Sequence, residues 1–287
     1  MTRLAGIIGR PVGHSLSPAL QGAAFAHCGL DAAYERWDTA PEALAGRIVS
    51  LRSDRYLGAN VTIPHKEAVF ALLDELGGQS ARVGAVNTIV NRGGRLFGFN
   101  TDGPGFVAAL KNEANFDPAG QAVLILGAGG AARGVAFALA EARAAAIDVW
   151  NRTPTRAARL AADVALTGAA ARAAGSADPA GYGLVINCTS VGMEGTGTEV
   201  DSPCDFSSAR PGALAVDIVY RPQDTPFLRS AREAGLRTLP GLPMLIYQGG
   251  LSFELWTGAP APIDVMFDAA RKALAAAAAA AAAAGER

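Results

Sequence analysis

The segment GAGGAA, Gly127 to Ala132, follows the apolar run AVLILG and opens an alanine-rich stretch, GVAFALA, before a second apolar run, IDVW. Strand, glycine turn, helix and strand in that order demand a parallel βαβ unit. Two strands running the same way in one sheet need a crossover, and a helix fills it. The glycine spacing fits G-x-G-x-x-G/A. The first glycine permits the tight turn, the second lets backbone approach a pyrophosphate, and Ala132 allows close helix packing. The helix N-terminus then offers N–H groups and a partial positive charge to phosphate.

The same alternation runs through the chain, so the expected fold class is α/β with two domains. Strands are predicted at 4–9, 34–38 and 58–63, with helices over 18–30, 41–51 and 66–73. Residues 84–90 and 95–99 read as a hairpin around Asn91-Arg92-Gly93-Gly94, since Asn and Gly supply left-handed turn positions. A helix opens at Gly103-Pro104-Gly105. Further strands follow at 183–190 and 213–220, then a helical run at 244–256. The unbroken alanine from Ala275 to Ala284 extends the last helix, alanine being the best helix former. The expected division is an N-terminal domain with a mostly parallel sheet, 1–103, completed by helices in 243–287. A Rossmann-type dinucleotide domain occupies 104–242, and the cleft lies between the two.

A length of 287 residues suits two domains, and half of them are hydrophobic, enough for sizeable cores. The formal net charge of −1 argues against nucleic acid and acidic membranes as partners. Cys28, Cys188 and Cys204 are odd in number and form no C-x-x-C, which fits a reducing, cytoplasmic setting and no metal site. No apolar run reaches the roughly 18 residues of a membrane span, and the N-terminus reads as a strand rather than a signal peptide. A small-molecule substrate, and a monomer or homodimer, are expected.

The second strand of the glycine unit discriminates between cofactors. NAD units commonly place a carboxylate about 20 residues on, to accept from the ribose 2′-hydroxyl. Here the strand ends in Asn151-Arg152-Thr153, with Arg156 and Arg159 beyond. Guanidinium groups can bind a 2′-phosphate in bidentate fashion, so NADP is favoured. Asp148 lies within the strand, before Val149 and Trp150.

The N-terminal domain carries small polar residues at its predicted strand ends: Ser15, Ser17, Asn60, Thr62, Asn87 and Asn100-Thr101-Asp102. Taken singly these are cap and turn residues. As a set they sit in GRPVGHSLSP, GANVTIPHKE, GAVNTIV and GFNTDGPGF, followed by GAGGAARG, NRTPTRA, INCTSVGM, VDIVYRPQDTPFL and GLPMLIYQGGLSFELWTG. In order and spacing these motifs resemble the shikimate dehydrogenase family over nearly the full length.

The resemblance implies a reversible, NADPH-dependent reduction of 3-dehydroshikimate to shikimate in aromatic amino-acid biosynthesis. It also implies the site. Ser15 and Ser17 hold the substrate carboxylate, supported by Tyr220. Asn60, Thr62, Asn87 and Gln248 hold the ring hydroxyls, while Lys66 and Asp102 are catalytic. Gly127, Ala128, Gly129, Gly130 and Ala131 cradle the pyrophosphate. Asn151, Arg152, Thr153 and Arg156 contact the adenosine end, and Thr189, Ile218, Gly241 and Met244 lie along the nicotinamide. Where the family has His-Asn after S-L-S-P-x-x, this chain has Gln21-Gly22, so altered local packing is expected there. His14 and His65 are structural or rim residues. Alternatives are a quinate/shikimate dehydrogenase of broader substrate or NAD use and, from another class, a non-catalytic ligand-sensing module. Such chemistry needs orientation plus one proton carrier. Lys66 is expected to be that carrier.

Overall fold

The computed structural model describes residues 2–285. The chain forms two compact units, one of Met1–Thr101 with Ile246–Arg287 and the other of Asp102–Leu245.

The first unit begins with β1 (Arg3–Gly9), α1 (Ser17–His27) and β2 (Ala32–Asp38). A 3-10 turn, Pro41–Ala43, leads into α2 (Leu44–Ser50), and β3 (Gly58–Val61) follows. After a 3-10 helix, Ala68–Leu72, come β4 (Glu75–Leu76), α3 (Ser80–Val83), β5 (Thr88–Arg92) and β6 (Arg95–Phe99). The sheet order is β2-β1-β3-β5-β6-β4. β1 is parallel to β2 and β3, and β4 is parallel to β6, whereas β5 is antiparallel to β3 and β6. Leu4, Ile8, Trp37, Ile48, Val61 and Ile89 fill one core cluster of this unit.

Asn91 sets the β5–β6 hairpin. Arg92 pairs with Arg95, leaving Gly93-Gly94 as a two-residue loop at φ +59° and +83°, where only glycine is unstrained at both positions. The Asn91 side chain accepts from Gly94 N at 2.9 Å and donates to Leu51 O at 2.8 Å, so the turn is tied to the end of α2. The helix expected over 66–73 is shorter than the sequence suggests. His65 N donates to Thr62 O, and the His65 ring holds Thr39 O at 2.7 Å, so a tertiary contact keeps the residues after Pro64 in a turn. The strand expected from residue 84 starts at Thr88, because Gly84 at φ +67° closes the short α3.

The second unit runs α4 (Asp102–Ala114), β7 (Ala122–Leu126), α5 (Gly130–Glu141), β8 (Ala146–Trp150), α6 (Pro154–Ala165) and β9 (Ala171–Ala173). Then come β10 (Leu184–Asn187), β11 (Leu214–Asp217), α7 (Pro226–Glu233) and β12 (Arg237–Leu239). The sheet order β12-β11-β10-β7-β8-β9 is parallel throughout. Counted within the unit this is 6-5-4-1-2-3, the order of dinucleotide-binding sheets, whose ligand crevice lies where the winding reverses. The reversal falls between β7 and β10.

Close packing of α4 on α5 depends on Gly103, where an added Cβ would stand 2.3 Å from Gly134 O and 2.7 Å from Ala138 Cβ. Helices α8 (Leu242–Thr257) and α9 (Ile263–Gly285) complete the chain, and α9 packs on α1 in the first unit. The alanine tract continues α9 as helix. Among the described residues no helix is long and apolar enough to cross a membrane.

Candidate active site

In the first unit, the polar residues of four distant segments converge beyond the ends of the central strands. Ser15 lies in the loop after β1 and Ser17 is the first residue of α1. Both are buried, with Ser15 Oγ accepting from Ser17 N at 3.2 Å. Asn60 comes from β3, Asn87 from the residue before β5, and Gln248 from α8. Asn87 Nδ2 donates to Gln248 Oε1 at 3.1 Å and to Thr101 Oγ1 at 2.9 Å, while its Oδ1 accepts from Thr101 N at 2.7 Å. Asn60 Nδ2 donates to Ser252 Oγ at 2.9 Å, and its Oδ1 accepts from the Tyr34 hydroxyl at 2.7 Å.

Tyr34 links the two halves of this cluster, since Ser17 also hydrogen-bonds its hydroxyl. Burial nevertheless dominates and pushes the Tyr34 phenol well above its ordinary range, so it is a neutral hydrogen-bonding group at any physiological pH. Sequence reasoning did not find Tyr34, Thr88 or Ser252. Ser252 alone carried a usable signal, standing four residues after Gln248 on one helix face.

Thr62 follows β3 directly. Its amide donates to Ile8 O at 2.8 Å, and its methyl group packs where Gly9 leaves room: a Cβ at Gly9 would be 2.3 Å from Thr62 Cγ2. The half-buried Lys66 is fixed through its backbone, whose carbonyl accepts from Val86 N at 2.8 Å, one residue before Asn87. His65 is buried, while His14 is exposed, and no group of His, Cys, Asp and Glu fit to hold a metal occurs among the described residues. Gln21, where the family has His, is fully buried on α1. Its Nε2 donates to Gly249 O at 2.8 Å and its Oε1 has no partner.

In the second unit, Gly127 closes β7 at φ +113°, and a Cβ there would stand 2.9 Å from Cys188 O and 3.2 Å from Thr189 Cγ2. This is the point of strand reversal, and only glycine lets the two turns approach so closely. Ala128 is buried, whereas Gly129, Gly130 and Ala131 are half-buried. α5 starts at Gly130 with no side chain capping its first turn. Those backbone N–H groups suit phosphate. Asp102, the first residue of α4, is buried in this unit. Gly241 is equally tight, with a Cβ 2.4 Å from Ile218 O; Met244 is buried, and Ile218 and Tyr220 are half-buried.

In the middle of β8, Asp148 is committed elsewhere. It is buried, accepts from Arg172 Nε at 3.0 Å and Nη2 at 3.0 Å, and accepts from the Tyr182 hydroxyl at 2.5 Å. It therefore serves the strand and its neighbours rather than a ribose. Past the strand, Asn151 Nδ2 donates to Thr153 O at 3.0 Å, shaping the turn into α6, and Arg152, Thr153 and Arg156 are exposed.

Thr189 is held by a network that the sequence did not reveal. Asn187 Oδ1, at the end of β10, accepts from Thr189 Oγ1 at 2.6 Å and Thr189 N at 3.0 Å. Asn187 Nδ2 donates to Asp217 Oδ1 at 3.0 Å, and Asp217 also accepts from Val219 N at 2.9 Å and Thr225 Oγ1 at 2.6 Å. Burial raises the Asp217 carboxyl to about 6, against the opposing pull of those three donors. A raised acid pKa means the folded state holds its proton longer than the unfolded chain. The group's contribution to stability is full below about 3.8 and is lost as pH rises through about 6. Asp217→Asn is expected to flatten the fall in stability between about pH 4 and 6, by up to about 3 kcal/mol. Denaturant melts across that window check it. Neighbouring Cys188 is buried, and its thiol is pushed up chiefly by that burial and further by Asp217 and Asp102.

The chain matches three family descriptions: the shikimate dehydrogenase substrate binding domain over residues 7–89, shikimate / quinate 5-dehydrogenase over 109–175, and the shikimate 5′-dehydrogenase C-terminal domain over 241–271. It is 46% identical to a shikimate dehydrogenase (NADP(+)) of Moorella thermoacetica over 282 residues, which covers 96% of this chain and 95% of the relative. A crystal structure of shikimate 5-dehydrogenase from Thermus thermophilus in complex with NADP(H) and shikimate superimposes with a TM-score of 0.85 at 46% identity, covering 94% of this chain and 99% of that one. A quinate dehydrogenase of Corynebacterium glutamicum in complex with NAD gives 0.82 at 30% identity, covering 93% and 98%.

Proposed function

Because this chain belongs to the shikimate dehydrogenase family, we infer that it is an NADP-dependent oxidoreductase that interconverts 3-dehydroshikimate and shikimate, a step of aromatic amino-acid biosynthesis. The observation that carries the reading is the cluster of Asn60, Asn87 and Gln248. The buried amides of Asn60 and Asn87 and the half-buried amide of Gln248, from three separate segments, are oriented by hydroxyl groups and by one another. A polyhydroxylated ring needs such a wall of oriented donors and acceptors. A site built this way rejects analogues that leave its buried polar groups unpaired.

Each assigned residue has a chemical task. Ser15 and Ser17 donate hydroxyl hydrogens to the substrate carboxylate, with Tyr220 in support. Asn60, Thr62, Asn87 and Gln248 take the ring hydroxyls. Lys66 exchanges the proton of the hydroxyl that becomes a ketone, and Asp102 accepts from that hydroxyl and orients it. NADP, when bound, supplies the hydride acceptor or donor. The residues present fit it: Gly127 to Ala131 offer a crowded glycine turn and an uncapped helix start for the pyrophosphate. Thr189, Ile218, Gly241 and Met244 serve the nicotinamide end. Asn151, Arg152, Thr153 and Arg156 serve the adenosine end, where Asp148 is already occupied by Arg172. Three free cysteines are in keeping with a cytoplasmic location.

The test is absorbance at about 340 nm, where the reduced nicotinamide absorbs, with purified chain, shikimate and NADP. Shikimate-dependent reduction is expected, with kcat/KM for NADP well above that for NAD. No reduction refutes the activity, and equal or better use of quinate moves the substrate assignment to the broader relatives. Arg152→Ala and Arg156→Ala are each expected to raise the KM for NADP roughly tenfold, because a charge-assisted hydrogen bond is worth about 1.5–3 kcal/mol. The KM for NAD, which lacks the 2′-phosphate, stays put. A parallel rise for both cofactors would sink the 2′-phosphate assignment.

A further inference from the structure

We propose that Ser252 is a positioning residue for the ring-hydroxyl subsite, setting the orientation of Asn60 and the Thr88–Asn87 pair and so the fit of the substrate's hydroxyls. The proposal rests on the activity inferred above. Ser252 is fully buried on α8. Its Oγ donates to Gln248 O at 3.0 Å, accepts from Asn60 Nδ2 at 2.9 Å and pairs with Thr88 Oγ1 at 2.8 Å. A hydroxyl has one hydrogen and two lone pairs, so with its hydrogen on Gln248 O its lone pairs take Asn60 Nδ2 and one neighbouring threonine hydroxyl, which fills its capacity.

The hydroxyl sits at a junction. Thr88 Oγ1 accepts from Asn60 Nδ2 at 3.2 Å and lies 3.1 Å from Asn87 Oδ1, and Thr101 Oγ1 stands 3.2 Å from Thr88 Oγ1 and 3.3 Å from Ser252 Oγ. Both asparagine amides and the helix turn that carries Gln248 are therefore linked through one small group of hydroxyls centred on Ser252. Buried networks of this kind hold one arrangement only while each member is satisfied. Removing Ser252 Oγ throws the Thr88 hydroxyl onto Asn87 Oδ1 and Thr101 Oγ1, and Asn60 Nδ2 onto Thr88 Oγ1 and Asn87 O, contacts of 3.1–3.2 Å that are longer than those lost. Both asparagines assigned to the substrate then turn on weaker contacts. Ser252 itself is not placed in contact with substrate or cofactor; it acts through Asn60 and Thr88.

Ser252→Ala is expected to raise the KM for shikimate about tenfold, the scale of one buried hydrogen bond, with kcat and the KM for NADP changed less than about twofold. Discrimination between shikimate and an analogue lacking one ring hydroxyl should fall by a similar factor. Ser252→Cys, which keeps a weak donor and acceptor, should give a smaller rise. Steady-state kinetics with each substrate varied, beside a thermal melt, read all of this. A folded Ser252→Ala with unchanged shikimate KM overturns the proposal, as does an equal rise in both KM values. Should the alanine variant not fold, the cysteine variant carries the same test. Failure of both to fold overturns it by making Ser252 a determinant of the fold alone. A wild-type chain that does not oxidise shikimate overturns the activity as well, which separates the two failures.

Discussion

Lys66→Met lowers kcat for shikimate oxidation by about 10²–10⁴-fold and leaves the substrate KM within a few-fold of wild type. That is the range lost when a general acid or base is removed while binding groups stay. Methionine keeps most of the length of the aliphatic stem and discards the exchangeable proton. The Lys66 backbone carbonyl accepts from Val86 N at 2.8 Å, and every residue type retains that bond. A thermal melt beside the kinetics separates lost chemistry from lost fold. The substrate hydroxyls and carboxylate are assigned to other side chains, which is why affinity should persist. Unchanged kcat in a folded Lys66→Met protein would reduce Lys66 to a solvated charge and leave the proton step without its carrier.

The parallel second unit was legible because its signals are local. AVLILG, the glycine turn and the alanine-rich helix announce β7 and α5 within about twenty residues, and the Asn-Arg-Gly-Gly turn announces its hairpin. The three-residue strands β9 and β12 were not legible. ARA and RTL carry no alternation to detect and exist because β8 and β11 offer them a sheet edge. The assigned polar side chains could be named from their motifs, yet what orients them could not. Asn60 and Ser252 are 192 positions apart and Tyr34 and Asn60 are 26 apart, so no short window along the chain contains either pair. Asp217 illustrates the same limit. In VDIVY it is one acidic residue at the end of a strand, and only the fold shows it accepting from Asn187, Val219 and Thr225. Gln21 fares likewise: a change at the helix behind the serines could be flagged from sequence, but the orphaned Oε1 could not.

Gly58→Ala should prevent the first unit from folding stably, at a cost of roughly 3–5 kcal/mol. Gly58 opens β3 at φ +154°, a region that side-chain-bearing residues rarely adopt. A methyl group there would stand 1.9 Å from Ile89 O and 2.7 Å from Trp256 Nε1. Neither neighbour can yield alone. Ile89 lies in β5, paired with β3 through Gly58 and Val90, Ala59 and Ile89, and Asn60 and Thr88. Trp256 Nε1 donates to that same Ile89 carbonyl at 2.8 Å and ties α8 to the sheet. Relief requires β3 to part from β5 or the indole to abandon a buried carbonyl, and an unpaired buried carbonyl costs about 1–3 kcal/mol. Both routes disturb the register that brings Asn60 beside Thr88 and Ser252. Shikimate turnover is therefore expected to vanish together with the cooperative melt. Far-UV circular dichroism and a thermal melt beside the kinetic assay check this, and a Gly58→Ala protein that melts near wild type with normal turnover would show that β3 and β5 can separate there without consequence.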